Sequence, residues 1–245
     1  PHEKLTDKKK PKMSIKDSFK FLASSRYIQC IAILVLAYNI SINLLEVTWK
    51  SQLKLLYPNK SEYLSFMGTY STILGATTIL MMLFVSSNVL RRCGWAITAA
   101  ITPVVLLITG AGFFGFIIFK EDLAPFLAGF DLSPLFIAVI FGTIQNIMSK
   151  SAKYSLFDPT KEMAYIPLDQ ESKVKGKAAI DTVGARLGKA GGSGIQLGLI
   201  SVFGSLTAVT PHIGVVMLVV IGAWLWAIKR LDDLEFKKLE NDPKT

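Results

Sequence analysis

Six stretches of this chain are apolar for roughly twenty residues or more: 27–49, 63–89, 95–119, 134–154, 180–206 and 211–228. A bilayer's hydrocarbon core is about 30 Å thick, and a helix rising about 1.5 Å per residue needs about 20 residues to cross it. So many runs of that length suit no layered soluble fold. The pattern predicts an all-α integral membrane protein with six transmembrane helices. Composition agrees: 51% of the 245 residues are hydrophobic and 18% charged, which excludes a disordered chain.

Punctuation refines the spans. Ser133-Pro134 and Thr210-Pro211 each offer a capping hydroxyl followed by proline at the first helical position. Ser61 can cap the second span, and Pro103 is expected to kink the third. The fifth is the least hydropathic, because Asp181, Arg186 and Lys189 lie in its first half. Asp158-Pro159 predicts a short surface helix within the connection 155–179, broken by Pro167. The expected organisation is a basic juxtamembrane linker over 1–26, a six-helix unit over 27–231 and a tail over 232–245. With Pro1 in place of an initiator Met, the chain reads as the later part of a longer polypeptide.

The net charge of +9 would suggest nucleic acid in a soluble chain. Here the charge lies outside the apolar runs. With six spans, 21 of the 27 Lys and Arg residues fall on one side and only Lys50, Lys54, Lys60 and Lys120 on the other. Both termini are therefore expected on the cytoplasm-like side, with the basic stretch 4–12 near anionic headgroups.

Ionisable groups inside a span are costly, so their arrangement is informative. In the first span, Asn39, Asn43, Glu46 and Lys50 recur at intervals of four, three and four, within about 60° of one helical face. Such a stripe either seals a helix–helix contact or lines a water-filled cavity. In the fifth span Arg186, Lys189, Ser193 and Gln196 share a second face of about 80°. Two cations there require a counter-charge: a carboxylate such as Glu46 or Asp181, or an anionic ligand. Gly184, Gly188 and Gly192, at four-residue steps, fit close packing of another helix. The fourth span ends in Asn146, Ser149, Lys150, Lys153 and Tyr154, with Asn146, Lys150 and Lys153 on one face. That face reads as a basic lip at the cytoplasm-like mouth, either snorkelling anchors or an electrostatic funnel for anions.

Other chemistry is not supported. Gly110, Gly112 and Gly115 satisfy a dinucleotide-binding spacing but sit within a span with no preceding strand. Gly184 to Lys189 is one residue short of a phosphate-binding loop, and Ala190 replaces its hydroxyl. His2 and His212 lack partners at triad or metal-ligand spacing, and Cys30 and Cys93 define no disulfide framework. Asn59-Lys60-Ser61 is a glycosylation sequon on the outer side. A transporter without cofactor or metal is expected rather than an enzyme.

Two runs are specific: ISINLLEVTWKSQLK in the first span, and SKSAKYSLFDPTKEMAYIPLDQESKVKGKAAIDTVGARLGKAGG from Ser149 to Gly192. Together they closely resemble the ATP/ADP translocases of plastids and of obligate intracellular bacteria, a nucleotide transporter family unrelated to the mitochondrial carriers. The resemblance covers essentially the whole chain and matches the later half of such a protein. It implies a twelve-helix fold of the major facilitator type, of which this chain is one six-helix half, and exchange of ATP for ADP, in some members with phosphate. The implied partners are the nucleotides, the bilayer and the preceding half, and no nucleic acid. The N-L-x-E-V-T-W-K motif places the acidic functional residue at Glu46, and L-G-K-[SA]-G-G places the essential lysine at Lys189. Asn39, Asn43, Lys50, Asn146, Lys150, Lys153, Arg186 and Gln196 complete the expected substrate-binding set. The opening PHEKLTDKKKPKM looks more like the plastid branch, so the plastid inner envelope is the expected location, with a bacterial inner membrane as the alternative. An exchanger for another polyanion, such as phosphate or a sugar phosphate, is the alternative function.

Overall fold

The computed structural model describes residues 15–180 and 184–240, and every regular element among them is helical. A short helix α1 (Ile15–Ser24) leads into α2 (Arg26–Leu56). Helix α3 (Lys60–Leu80) passes through a π-helical turn, Met81–Ser86, into α4 (Ser87–Ile118), and α5 (Lys120–Ala128) follows. Helix α6 (Pro134–Ala152) passes through a second π turn, Lys153–Phe157, into α7 (Asp158–Met163). Helices α8 (Gln170–Ala179), α9 (Ala185–Phe203) and α10 (Leu206–Glu240) complete the chain.

Among the described residues, four stretches are long and apolar enough to cross a bilayer: Arg26–Leu56, Lys60–Ile118, Pro134–Met163 and Ala208–Leu234. The second has 59 residues, about 88 Å of helix, far more than one crossing needs. Its continuity is broken at Gly94, where φ is 75° and ψ 179°. That left-handed conformation is open to glycine and strained for other residues. Arg91 and Arg92 precede it, where the charge pattern places a cytoplasm-like turn. Pro103, expected to kink this region, stays within helical backbone. Helix α9, carrying Arg186, Lys189 and five glycines, is not among the four apolar stretches.

Helix α2 is the central post, packing against α6, α9 and α10, while α4 packs on α6 and α10. Trp49, fully buried, fills the α2–α6 seam. Its indole N–H donates to Thr143 Oγ1 at 3.1 Å and to the Val139 carbonyl at 3.3 Å. Gly142 makes room for it: a Cβ there would lie 2.5 Å from Trp49 Cδ1 and 2.8 Å from the Phe113 ring. Leu64, Ile73, Ile79, Leu83 and Phe84 on the α3 stretch and Val215, Leu218, Val219 and Trp226 on α10 are exposed, as helices facing acyl chains require.

The two ends of the bundle separate the loops as the charge count predicts. At one end Tyr27 Oη donates to the Ala164 carbonyl and Trp95 Nε1 to the Thr160 carbonyl, both at hydrogen-bonding distances of 2.8–2.9 Å. Helices α1 and α8 pack together there. A cavity of about 180 Å³ at the opposite end is lined by Gln52, Leu55, Phe116, Lys120 and Leu135.

Several local expectations are corrected. Asn59, not Ser61, caps α3, its side chain accepting the Ser61 N–H at 2.9 Å. Ser133 does cap α6, accepting from Phe136 N at 3.1 Å. Thr210-Pro211 does not start a helix, because α10 already begins at Leu206. The real boundary is Gly204, at φ 83°, whose N–H closes on the Ile200 carbonyl. Nor does Asp158-Pro159 open a separate surface helix: the chain runs helically from Pro134 to Met163. Proline removes one N–H from the regular ladder, and Pro159 sits just past a π turn where that ladder is already displaced. The basic stretch 4–12, His2 and Asp181 lie outside the described residues. Cys30 is a free buried thiol and Cys93 a free exposed one.

Candidate functional site

The extension of α6 relocates its basic face. With the helix continuing to Met163, Lys150 is 13 residues, about 20 Å, from that end rather than at a mouth. At this depth it meets the polar stripe of α2. Glu46 Oε1 lies 2.7 Å from Lys50 Nζ, one turn along α2, and Glu46 Oε2 lies 3.1 Å from Lys150 Nζ. All three side chains are partly exposed, at 27%, 39% and 22% respectively. Lys150 Nζ also stands 5.6 Å from the centroid of the Tyr70 ring on α3. One carboxylate thus serves two ammonium groups and leaves the trio with one net positive charge. Next to it on α6, Asn146 is buried, donating to the Gly142 carbonyl at 2.9 Å with its Oδ1 unpartnered among the described residues.

The inner part of the α2 stripe does something different. Gly188 of α9 lies directly against Asn39, where a Cβ would collide with the asparagine side chain, and a Cβ on Gly192 would lie 2.7 Å from Asn43 Oδ1. Asn39 turns its amide onto its own helix, donating to the Val35 carbonyl at 2.8 Å. The glycine steps of α9 therefore serve close helix contact, and Asn39 and Asn43 belong to that contact. Where the two polar stripes touch, Ser193 Oγ donates to Asn43 Oδ1 at 3.3 Å. Arg186 and Lys189 on α9 are exposed and form no salt bridge among the described residues. Gln196, two turns further on, is buried with its Nε2 unpartnered.

The structure thus joins Glu46, Lys50 and Lys150 in one ion-pair cluster and links Asn43 to the α9 face. Glu46 pairs with Lys50 and Lys150, not with Lys189. Lys153 stands apart from the cluster, bonded to Asp158 Oδ2 at 2.7 Å. Tyr70 is a neighbour of the cluster that sequence spacing gave no means of finding, because it reaches Lys150 from a different helix. Four cations and one carboxylate, Lys50, Lys150, Arg186, Lys189 and Glu46, leave three net positive charges on these adjoining faces. Such a set suits a multiply charged anion.

An all-helical membrane protein with a cationic polar seam between its helices is the class this fold and site define. Comparison with known proteins narrows it: the chain belongs to the TLC ATP/ADP transporter family, whose model matches residues 1–235. It is 55% identical over 236 residues to the ADP,ATP carrier protein 1 of Chlamydia pneumoniae, covering 96% of this chain and 46% of that protein. It is 54% identical over 242 residues to the plastidic ATP/ADP-transporter of Solanum tuberosum, covering 99% and 38%. Against the ADP,ATP carrier protein 1 of Rickettsia conorii it is 47% identical over 238 residues, covering 96% and 47%. The chain spans less than half the length of these relatives. No solved structure matches it.

Proposed function

We propose that this chain is the later half of an ATP:ADP antiporter of the major facilitator type. Its six crossings are α2, α3, α4 beyond Gly94, α6 with α7, α9 and α10. The relatives named as ADP,ATP carriers support the substrate, and the excess of three positive charges on the α2, α6 and α9 faces is the observation that carries it. The nucleotide lies in a cavity between this half and the preceding one. Lys189 and Arg186 take the phosphate tail, Lys189 as a point charge and Arg186 through its forked donors. Asn43, partly exposed and bonded to Ser193 where the two stripes meet, supplies an amide contact.

Glu46 offsets one of the two charges of Lys50 and Lys150 while the site is empty and yields both lysines when phosphates arrive. Closing the halves over unneutralised cations costs several kcal/mol, and bound nucleotide cancels that charge. Only loaded carriers then cross readily, which makes transport a counter-exchange with no chemical bond altered. The protein works as a secondary transporter with no cofactor, in the plastid inner envelope or a bacterial inner membrane.

The full-length transporter in liposomes preloaded with ADP should take up labelled ATP, and empty liposomes should not. Uptake of phosphate or sugar phosphate in preference to ATP would replace this reading with the other polyanion exchanger.

A further inference from the structure

Tyr154 is exposed (50%) although its neighbours Ser151, Ala152, Ser155, Leu156 and Phe157 are buried. It lies four residues past Lys150, in the π turn Lys153–Phe157, where the extra residue per turn breaks the regular register of the helix. Lys153 Nζ stands 4.2 Å from the centroid of its ring, and the same ammonium is 5.9 Å from the ring of Tyr38 on α2. Asp158 holds that ammonium at 2.7 Å, so the cation is fixed in place. Beneath, Tyr38 stacks on Phe157 at 5.0 Å and both meet Trp224 edge-on, giving the turn a rigid aromatic base. Among the described residues, the other exposed aromatics, such as Phe84, Phe126 and Phe203, have no cation over the ring.

An open ring braced by a cation, one helical turn from the phosphate-seeking Lys150, has the chemistry of a stacking platform for a nucleobase. We propose that Tyr154, steadied by Lys153, stacks the adenine ring of the transported nucleotide and so sets the preference for nucleotides over bare polyphosphates. This assignment rests on the nucleotide-exchange reading above. It gives the site two ends: a cationic end that any polyanion satisfies, and an aromatic end that only a base-bearing one can use.

The test uses the full-length transporter in liposomes, with ATP half-saturation and inhibition by inorganic tripolyphosphate measured side by side. Base–aromatic stacking lost on truncation to alanine raises half-saturation between about 5-fold and about 150-fold. Tyr154→Ala should therefore weaken ATP by that factor and change tripolyphosphate inhibition less than about 2-fold, while Tyr154→Phe restores ATP. Equal weakening of both anions, or an unchanged ATP half-saturation, would overturn the platform. Should the alanine variant fail to insert, Tyr154→Trp decides: its added emission should be quenched by ADP, and emission that ADP leaves unchanged would overturn the assignment. A wild-type protein that exchanges neither ATP nor ADP would instead refute the nucleotide reading itself, which keeps the two failures distinct.

Discussion

Replacing Glu46 with glutamine keeps the shape of the α2 stripe and removes the one charge that serves both Lys50 and Lys150. At an effective dielectric of about 20, contacts of 2.7 and 3.1 Å correspond to gross attractions of about 6 and about 5 kcal/mol. The net worth is smaller. Fully exposed pairs contribute about 0–1 kcal/mol, and breaking a buried pair costs about 3–5 kcal/mol. Side chains 22–39% exposed fall between, so about 1–3 kcal/mol is expected, equivalent to roughly 5- to 150-fold. The loss falls on the empty transporter, because phosphate oxygens can replace the carboxylate in the loaded one. In proteoliposomes, Glu46→Gln should therefore cut exchange turnover by about 10-fold or more while ATP half-saturation stays within about 3-fold or tightens. The detergent-purified variant should also melt lower when empty, and ADP should restore more of its stability than it adds to the wild type. Unchanged exchange kinetics, or equal losses in turnover and apparent affinity, would refute the idea that Glu46 acts as a stand-in counter-ion.

The α9 seam makes a paired prediction. Gly192→Ala sets a methyl 2.7 Å from Asn43 Oδ1, an overpacking worth about 1–3 kcal/mol, whereas Gly194→Ala meets nothing within 4 Å. Thermal unfolding in detergent should separate the two, and equal melting temperatures would deny the close α2–α9 contact. At the surface, Asp169 caps α8 by accepting the Ser172 N–H at 2.9 Å, and that bond holds its carboxyl below the ordinary carboxylate value. A depressed folded-state pKa makes the cap's contribution complete above the unfolded value of about 3.9 and lost as pH falls through the folded one. Hydrogen exchange at Ser172 and Lys173, corrected for the intrinsic pH dependence, should lose protection across that acidic window in the wild type. Asp169→Ala should lack protection throughout, and protection independent of both pH and Asp169 would exclude the cap.

How far the sequence revealed this arrangement varies by element. The Glu46–Lys50 pair is legible because residues four apart on a helix meet. Its third member is not, because Lys150 looked like part of a basic lip until the helix begun by α6 proved to run nine residues beyond the expected span, to Met163. The misleading signal was Asp158-Pro159, a sound helix start in isolation that a π turn renders compatible with a continuing helix. Thr210-Pro211 misled because α10 already begins four residues upstream, at Leu206, while the glycine that ends α9, Gly204, was visible but had competing glycines nearby. The glycine steps of α9 were readable as packing, yet their partner could have been any helix. That Asn39 and Asn43 are the residues they press on requires the third dimension. Gly94 illustrates the converse: the gap between the runs 63–89 and 95–119, with Arg91 and Arg92 in it, put a turn where the backbone breaks, although hydrogen-bond continuity makes α3 and α4 one apolar stretch of 59 residues.

On the reading proposed above, the exposed cations of α9 grip the substrate phosphates. Its most direct test is ATP/ADP counter-exchange by full-length Lys189→Ala in liposomes, with membrane insertion verified by protease protection. Exchange should fall to background while the protein inserts normally. Uptake of ATP at the wild-type rate by the inserted variant would contradict a phosphate grip at Lys189.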